Sequence, residues 1–419
     1  MKVLWFTNTP SLAESALQTT VASGGWIKSL EQTIRDTVQL SVAFYHTAAK
    51  EPFTIANTTY YPILSGRKGL WGKIRQRAFH ELEQRSDTER FLEIIRRVQP
   101  DLIHIHGSEG PFGLVARLTN IPVVISIQGI VSVCAKKYFS GISRQQAFFH
   151  EPPKRRLLLN TYTNQYKRFT RQALREEEIL AAARHLIGRT EWDRRVTSVL
   201  SPDAQYYHLD EVLRDGFYQH EWSVSVQGNP KLFTTTGPNL FKGLETLLFC
   251  SSLLDGRNVQ YTWYVAGISA NDQLVKLALS ALRIPLSPNI VFTGVLREQE
   301  LIGHLLESNL YIGISHIENS PNSLCEALIL GVPCISTFAG GTSSLLEDRK
   351  EGLLVQDGDS YSMAGAILEQ LKAPEAAAAM GRAARHRALE RHNPETIREN
   401  LLHTYRTIIR LSTLKPTNG

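Results

Sequence analysis

Short apolar runs alternate with helix-patterned stretches along this chain, in two separate series. Lys2–Asn8 (KVLWFTN), Asp101–His106 (DLIHIH) and Ile121–Gln128 (IPVVISIQ) read as buried strands. Between them Trp26, Leu30 and Ile34 repeat every four residues, and Phe91, Ile94, Ile95 and Val98 fall at i, i+3, i+4 and i+7 before Pro100. Each spacing lays one apolar stripe along a helix. Apolar strands joined through helices build a parallel sheet covered on both faces.

Residues 201–230 interrupt the series with Pro202, Asp215-Gly216 and Gly228-Asn229-Pro230. A second series follows: strands at Lys231–Thr236, Thr262–Ala266, Ile290–Phe292, Leu310–Ser315, Pro333–Thr337 and Gly352–Val355. Helices are expected from about Gly243, near 298–307, over Ser323–Leu330 with Gly331 as its stop, and through the C-terminal stretch. The expected fold class is α/β, with two Rossmann-like doubly wound parallel-sheet domains facing across a cleft. Ligands of such sheets bind beyond the carboxyl ends of the strands. The expected division is 1–205, 206–390 and a C-terminal helix at 391–419 that packs back on the first domain.

Composition excludes several classes. Of 419 residues 42% are hydrophobic and 21% charged, so the chain is neither disordered nor low in complexity. Cys134, Cys250, Cys325 and Cys334 contain no C-x-x-C, which removes zinc ribbons and thioredoxin-like redox sites. They read as buried, reduced thiols. The start MKVLWFTNTPSL lacks the apolar core of a signal peptide, and no run approaches the ~18 apolar residues of a membrane-spanning helix. The expected location is cytoplasmic, either free or peripheral on the inner face of the membrane.

Charge is distributed unevenly. The net charge is 46 − 40 = +6. Residues 154–175 alone carry Lys154, Arg155, Arg156, Lys167, Arg168, Arg171 and Arg175 with no acid, and residues 67–77 add Arg67, Lys68, Lys73, Arg75 and Arg77. The ordinary reading of such a run is a solvated helix face. Leu70, Trp71, Ile74, Leu157–Leu159 and Tyr162 lie among the charges, and that mixture also suits an anionic membrane surface. No nucleic-acid-binding motif accompanies them, so no nucleic-acid partner is expected.

Several catalytic motifs are missing. No G-x-G-x-x-G follows the first strand, Gly66–Lys73 has the wrong spacing for a phosphate-binding loop, and Gly313-Ile-Ser-His-Ile317 lacks the last glycine of a nucleophile elbow. His104 and His106 share one strand face, but neither H-E-x-x-H nor a carboxylate pair supports a metal site.

The richest stretch is Leu310–Gly341, LYIGISHIENSPNSLCEALILGVPCISTFAGG. A strand runs into a loop, and a helix is expected to start near Asn322-Ser323, both good capping residues. Loop amides and a helix N-terminus make an anion site. Glu318 and Glu326 flank it with seven residues between them, and Glu326 is expected in the first helical turn, where the dipole favours its charge.

Glu318-x7-Glu326 followed by Ala-Leu-x-x-Gly-Val-Pro resembles the E-x7-E motif of retaining family 4 (group 1) glycosyltransferases with the GT-B fold. Other landmarks stand in the family's order: Gly24-Gly25, DLIHIHG at 101–107, IPVVISIQG at 121–129, IGRTEWDRRV at 187–196, Phe241-Lys242-Gly243, TWYVAG at 262–267, NIVFTGVL at 289–296, Gly340-Gly341 and EGLLVQDGD at 351–359. The resemblance implies a nucleotide-sugar donor (a UDP- or GDP-sugar) on the second domain and a glycan or lipid-linked acceptor on the first, in surface polysaccharide biosynthesis. It implies Glu318, Lys242, Gln128 and His106 as the catalytic set. Gly25, Lys242, Asn322, Ser323, Leu324, Glu326 and Leu296 form the donor-binding set. No cofactor or metal is expected, because a lysine and a helix N-terminus can neutralise a leaving diphosphate.

Three positions depart from the family pattern. Pro238 follows Gly237 where an Arg is usual, with Arg297 as a substitute cation. Gln128 stands where His is common, and Ser344 where an acid often follows the Gly-Gly. Two other readings stay open: a non-catalytic nucleotide-sugar-binding protein of the same fold, and a metal-dependent transferase using Asp357 and Asp359. The second is disfavoured because Asp359 or Ser360 is placed to cap a helix.

Overall fold

The structure, a computed structural model, describes residues 1–17, 25–48, 50–64, 82, 85–223 and 228–414. Ser23, Gly24 and the basic stretch 67–77 lie outside the described residues. The chain forms two compact units: Met1–Val133 with Lys167–Arg214 and His392–Gly419, and Cys134–Tyr166 with Asp215–Arg391.

The first unit is built on an eight-stranded sheet. Its strands are β1 (Lys2–Thr7), β2 (Gln39–His46), β3 (Phe53–Ile55), β4 (Thr58–Leu64), β5 (Leu102–His106), β6 (Val123–Ser126), β7 (His185–Gly188) and β8 (Gln205–His208). The spatial order is β3-β4-β2-β1-β5-β6-β7-β8, parallel throughout except for the antiparallel edge pair β3–β4. Strand β1 shows why it reads as one apolar run. Val3 and Trp5 point to a core shared with Ile27, Leu30 and Ile34, while Leu4 and Phe6 point to another with Phe91, Ile95 and Phe112. Both faces are buried, so no polar alternation survives.

The second unit carries a six-stranded, all-parallel sheet. Its strands are β9 (Lys231–Thr235), β10 (Thr262–Ala266), β11 (Ile290–Gly294), β12 (Leu310–Gly313), β13 (Cys334–Thr337) and β14 (Leu353–Val355), in the order β11-β10-β9-β12-β13-β14. In both sheets the strand order reverses beside the first strand, between β1 and β5 and between β9 and β12. That reversal leaves a crevice at the carboxyl ends of the two strands.

The units part elsewhere than the sequence rhythm suggests. A boundary at 205/206 would cut β8, a half-exposed edge strand (QYYH) with no apolar run; the division falls between Arg214 and Asp215. Residues 134–166 belong to the second unit. There Gln146 Nε2 donates to the Ala281 carbonyl (3.4 Å), His150 Nδ1 meets Ser280 Oγ (2.7 Å), and Lys137 Nζ lies 3.3 Å from Asp357 Oδ2. These partners lie more than a hundred positions away, beyond the reach of local patterning. The C-terminal helix Pro394–Leu414 belongs to the first unit, where Ile397, Leu401, Tyr405 and Ile408 join the core of Val3, Trp5 and Leu30.

Cys250, Cys325 and Cys334 are buried, whereas Cys134 is half-buried. No helix among the described residues is long and apolar enough to cross a membrane.

Candidate functional site

At the β9/β12 crevice of the second unit, two loops run side by side. After β9 a short 3₁₀ turn, Leu240–Lys242, ends at Gly243 with φ +73°. A Cβ at Gly243 would lie 1.9 Å from the Ile314 carbonyl oxygen, so only glycine permits this approach. The His316 amide donates to the Phe241 carbonyl (2.9 Å), joining the turn to the loop after β12. Lys242 is thereby delivered to Glu318: Nζ lies 2.5 Å from Oε1, and Ser315 Oγ donates to the same oxygen (2.8 Å). The Glu318 backbone is held from the other side. Gly341 N–H donates to its carbonyl (2.9 Å), and Gly340 at φ +57° passes where a Cβ would meet that oxygen at 1.9 Å.

The helix after this loop is Asn322–Leu330. Its N-cap is Pro321, without a side-chain cap, so Asn322 is the first helical residue rather than the cap. Glu326 therefore sits past the first turn, too far along for the helix dipole to govern it. It is buried, as is Leu324, while Asn322 and Ser323 are half-buried. The Leu324 amide already donates to the Pro321 carbonyl (3.0 Å), and the Ser323 hydroxyl accepts from Tyr311 (2.9 Å). Leu296 is half-buried just after edge strand β11, two strands away from β9 in the sheet. Arg297 has an exposed side chain, 3.8 Å from Glu300, at the start of helix Glu298–Glu307.

Sequence reasoning missed a buried charge network behind Lys242. His316 Nε2 lies 2.6 Å from Glu245 Oε1, and its Nδ1 lies 3.4 Å from Asp357 Oδ2, which also faces Lys137. Burial alone would pull the imidazole down, but the hydrogen bonds and charges of Glu245 and Asp357 outweigh it and raise its pKa above 6.5. Asp357 is thus held in an ion-pair network. Asp359 caps helix Ser360–Lys372 through the Ser362 amide (2.9 Å). The sequence signal was only a histidine two residues before Glu318.

The first unit gathers the other expected residues at its own crevice. His106 ends β5, wholly buried, its ring 4.5 Å from Trp5, 3.8 Å from His104 and 5.6 Å from Trp26. Neither ring nitrogen has a hydrogen-bond partner among the described residues. Burial, then His104 and Arg189, hold its pKa far below 6.5, so it is neutral at pH 7. His104 bridges Ser126 Oγ and Tyr405 Oη, 2.6 Å each, and is pushed down to about 3, mainly by burial. Gln128 accepts from Arg189 (3.1 Å), whose guanidinium also pairs with Glu211 (2.7 Å) and stacks over Trp26 (4.8 Å). At Gly25, first residue of helix Gly25–Ile34, the space of a Cβ is taken by Arg214, whose Cδ would be 2.6 Å away. Glu109, in the loop after β5, was also missed. It accepts from Asn8 Nδ2 (2.7 Å), and burial first of all, then Glu176, lifts its carboxyl pKa to about 7.

Two sheets with reversed strand order, each with polar groups at its crevice, have the architecture of the GT-B glycosyltransferases. Residues 227–387 match the family described as glycosyl transferases group 1. The chain is 30% identical over 139 residues to N-acetyl-alpha-D-glucosaminyl L-malate synthase of Bacillus anthracis, covering 33% of this chain and 34% of that protein. It is 34% identical over 91 residues to the putative teichuronic acid biosynthesis glycosyltransferase TuaC of Bacillus subtilis, covering 21% and 23%. The matches thus span about a third or less of these relatives' lengths. Among solved structures, Anabaena HepE in complex with UDP and glucose superposes with a TM-score of 0.66 at 15% identity, covering 97% of this chain and 100% of that one.

Proposed function

We propose that this chain is a retaining glycosyltransferase that moves a sugar from a UDP- or GDP-sugar to a glycan or lipid-linked acceptor in surface polysaccharide biosynthesis. The observation that carries this reading is the placement of Lys242 against Glu318 at the β9/β12 crevice, directly before the helix that holds Glu326. In the reaction the bond between the anomeric carbon and the diphosphate oxygen breaks, the acceptor hydroxyl oxygen bonds to that carbon, and the hydroxyl proton passes to the departing diphosphate. Negative charge grows on the diphosphate, and a preorganised cation stabilises it there. Lys242 takes that role with the N-terminal end of helix Asn322–Leu330. Glu318 orients Lys242 and lies beside the donor sugar, Glu326 binds the ribose hydroxyls, and neither a protein nucleophile nor a metal is required.

The test is a thermal-shift panel of UDP, GDP, ADP and CMP, each with and without Mg²⁺, followed by release of the nucleotide from its sugar. Saturation at 100 times the dissociation constant stabilises a fold by about 2.7 kcal/mol. A shift with one nucleoside diphosphate, independent of Mg²⁺ and lost in Glu326→Ala, is the expected result. A shift with no release of nucleotide under any acceptor would assign the chain to non-catalytic binders, a reading that Gln128 and Pro238 favour. No shift with any nucleotide would overturn the donor site.

A further inference from the structure

Large apolar side chains lie exposed in one short stretch of the second unit. Phe148, Phe149, Leu157, Leu158 and Leu159 all face solvent, Phe149 at 74% and Leu157 at 84% of full exposure. They stand on or beside two short helices, Arg144–Phe149 and Pro153–Leu157. Sequence neighbours alone would not make a patch; Arg156 does. Its guanidinium lies over the Phe148 ring at 4.7 Å and donates to the Phe148 carbonyl at 2.5 Å, drawing the two helices together.

The stretch is braced from below. Glu151 is buried and accepts from the Tyr162 amide (2.8 Å). Arg155 lies 3.5 Å from Glu151, 4.2 Å over the Tyr162 ring, and donates to the Asn160 carbonyl (2.9 Å). Arg155 is therefore part of the frame, and Arg175, buried and bonded to the Glu109 carbonyl (2.6 Å), is not a surface charge either. Backbone groups at the tip are paired internally: Leu158 N–H to the Lys154 carbonyl (3.1 Å) and Asn160 N–H to that of Arg155 (2.9 Å). A segment entering an apolar phase needs this pairing.

Charge identifies the partner. Arg144, Lys154 and Arg156 are exposed around the patch, and Glu151, the one acid between residues 134 and 161, is buried beneath it. Exposed apolar side chains interspersed with exposed cations, with no exposed carboxylate between residues 134 and 161, match the interface of an anionic bilayer. We infer that Phe148, Phe149 and Leu157–Leu159 form a membrane-insertion element that seats the second unit on anionic lipid, with Arg144 and Lys154 at the headgroups. This holds whatever sugar is transferred.

Flotation of the full chain with vesicles tests it, using phosphatidylcholine alone against phosphatidylcholine and phosphatidylglycerol in about equal amounts. Binding is expected only to the anionic vesicles. It should fall about tenfold for each of Phe149→Ser and Leu157→Ser, and fall again in Arg144→Glu with Lys154→Glu. The nucleotide-induced thermal shift should be unchanged in all of these, which separates failure here from failure of the donor site. In Phe149→Trp the indole emission should shift blue on anionic vesicles. Absence of flotation, equal flotation of the serine variants, or an unshifted indole overturns the inference. So does a dimer in solution that Phe149→Ser converts to monomer without any vesicle binding, since the patch would then belong to a second copy.

Discussion

Lys242 and Glu318 lie 76 positions apart and touch. If Lys242 neutralises a leaving diphosphate, Lys242→Ala removes a charge-assisted contact of about 1.5–3 kcal/mol, a loss of roughly 10- to 150-fold in kcat. Steady-state kinetics check it, and an unchanged kcat would remove Lys242 from the mechanism. Glu109 has a different lesson. Its carboxyl pKa is about 7 in the fold against an ordinary 4.5, so the native state keeps a proton that the unfolded chain has released. The stability from this group is full below pH 4.5 and is lost as the pH rises through 7. Glu109→Gln, neutral at every pH, should therefore stabilise the protein by on the order of 2–3 kcal/mol above pH 7 and leave it nearly unchanged at low pH. Urea unfolding across that range would show it, and a constant difference would mean that Glu109 is ionised in the fold.

At the scale of elements, the site depends on two loops that meet only through glycine. Gly243 sits at φ +73° with the Ile314 carbonyl in the place of a side chain. Gly243→Ala should cost about 2 kcal/mol or more, from left-handed strain and from a backbone contact that cannot move aside. It should also displace Lys242 and weaken nucleotide binding; a variant of wild-type stability would refute the close approach. The E-x7-E spacing was legible in the sequence because strand, loop and helix follow one another in the chain. The helix start was not. Asn322 and Ser323 are good caps by type, yet Pro321 occupies the cap, since its ring favours the extended backbone that a cap needs.

At the scale of the whole molecule, the first unit is completed by the end of the chain. The helix Pro394–Leu414 places Ile397, Leu401, Leu402, Tyr405 and Ile408 in its core, and Tyr405 Oη also accepts from Trp5 Nε1 (3.0 Å) and meets His104. Five buried side chains at about 1.5–3 kcal/mol each exceed the margin of a typical domain. A chain ending at Arg391 should therefore lose the cooperative unfolding of the first unit, read by calorimetry and limited proteolysis; two intact transitions would contradict it. The sequence by itself determined the two parallel-sheet series and the strand–loop–helix order that carries Glu318 and Glu326, because apolar period, turn residues and motif spacing are local. Only the tertiary structure decided that residues 134–166 join the second unit, that His316 lies between Glu245 and Asp357, that Glu109 is pressed to a raised pKa, that the last helix completes the first unit, and that Arg156 ties the helix of Leu157 to Phe148. Each of these depends on partners that the chain brings together from afar, or on burial, which a residue's type does not reveal.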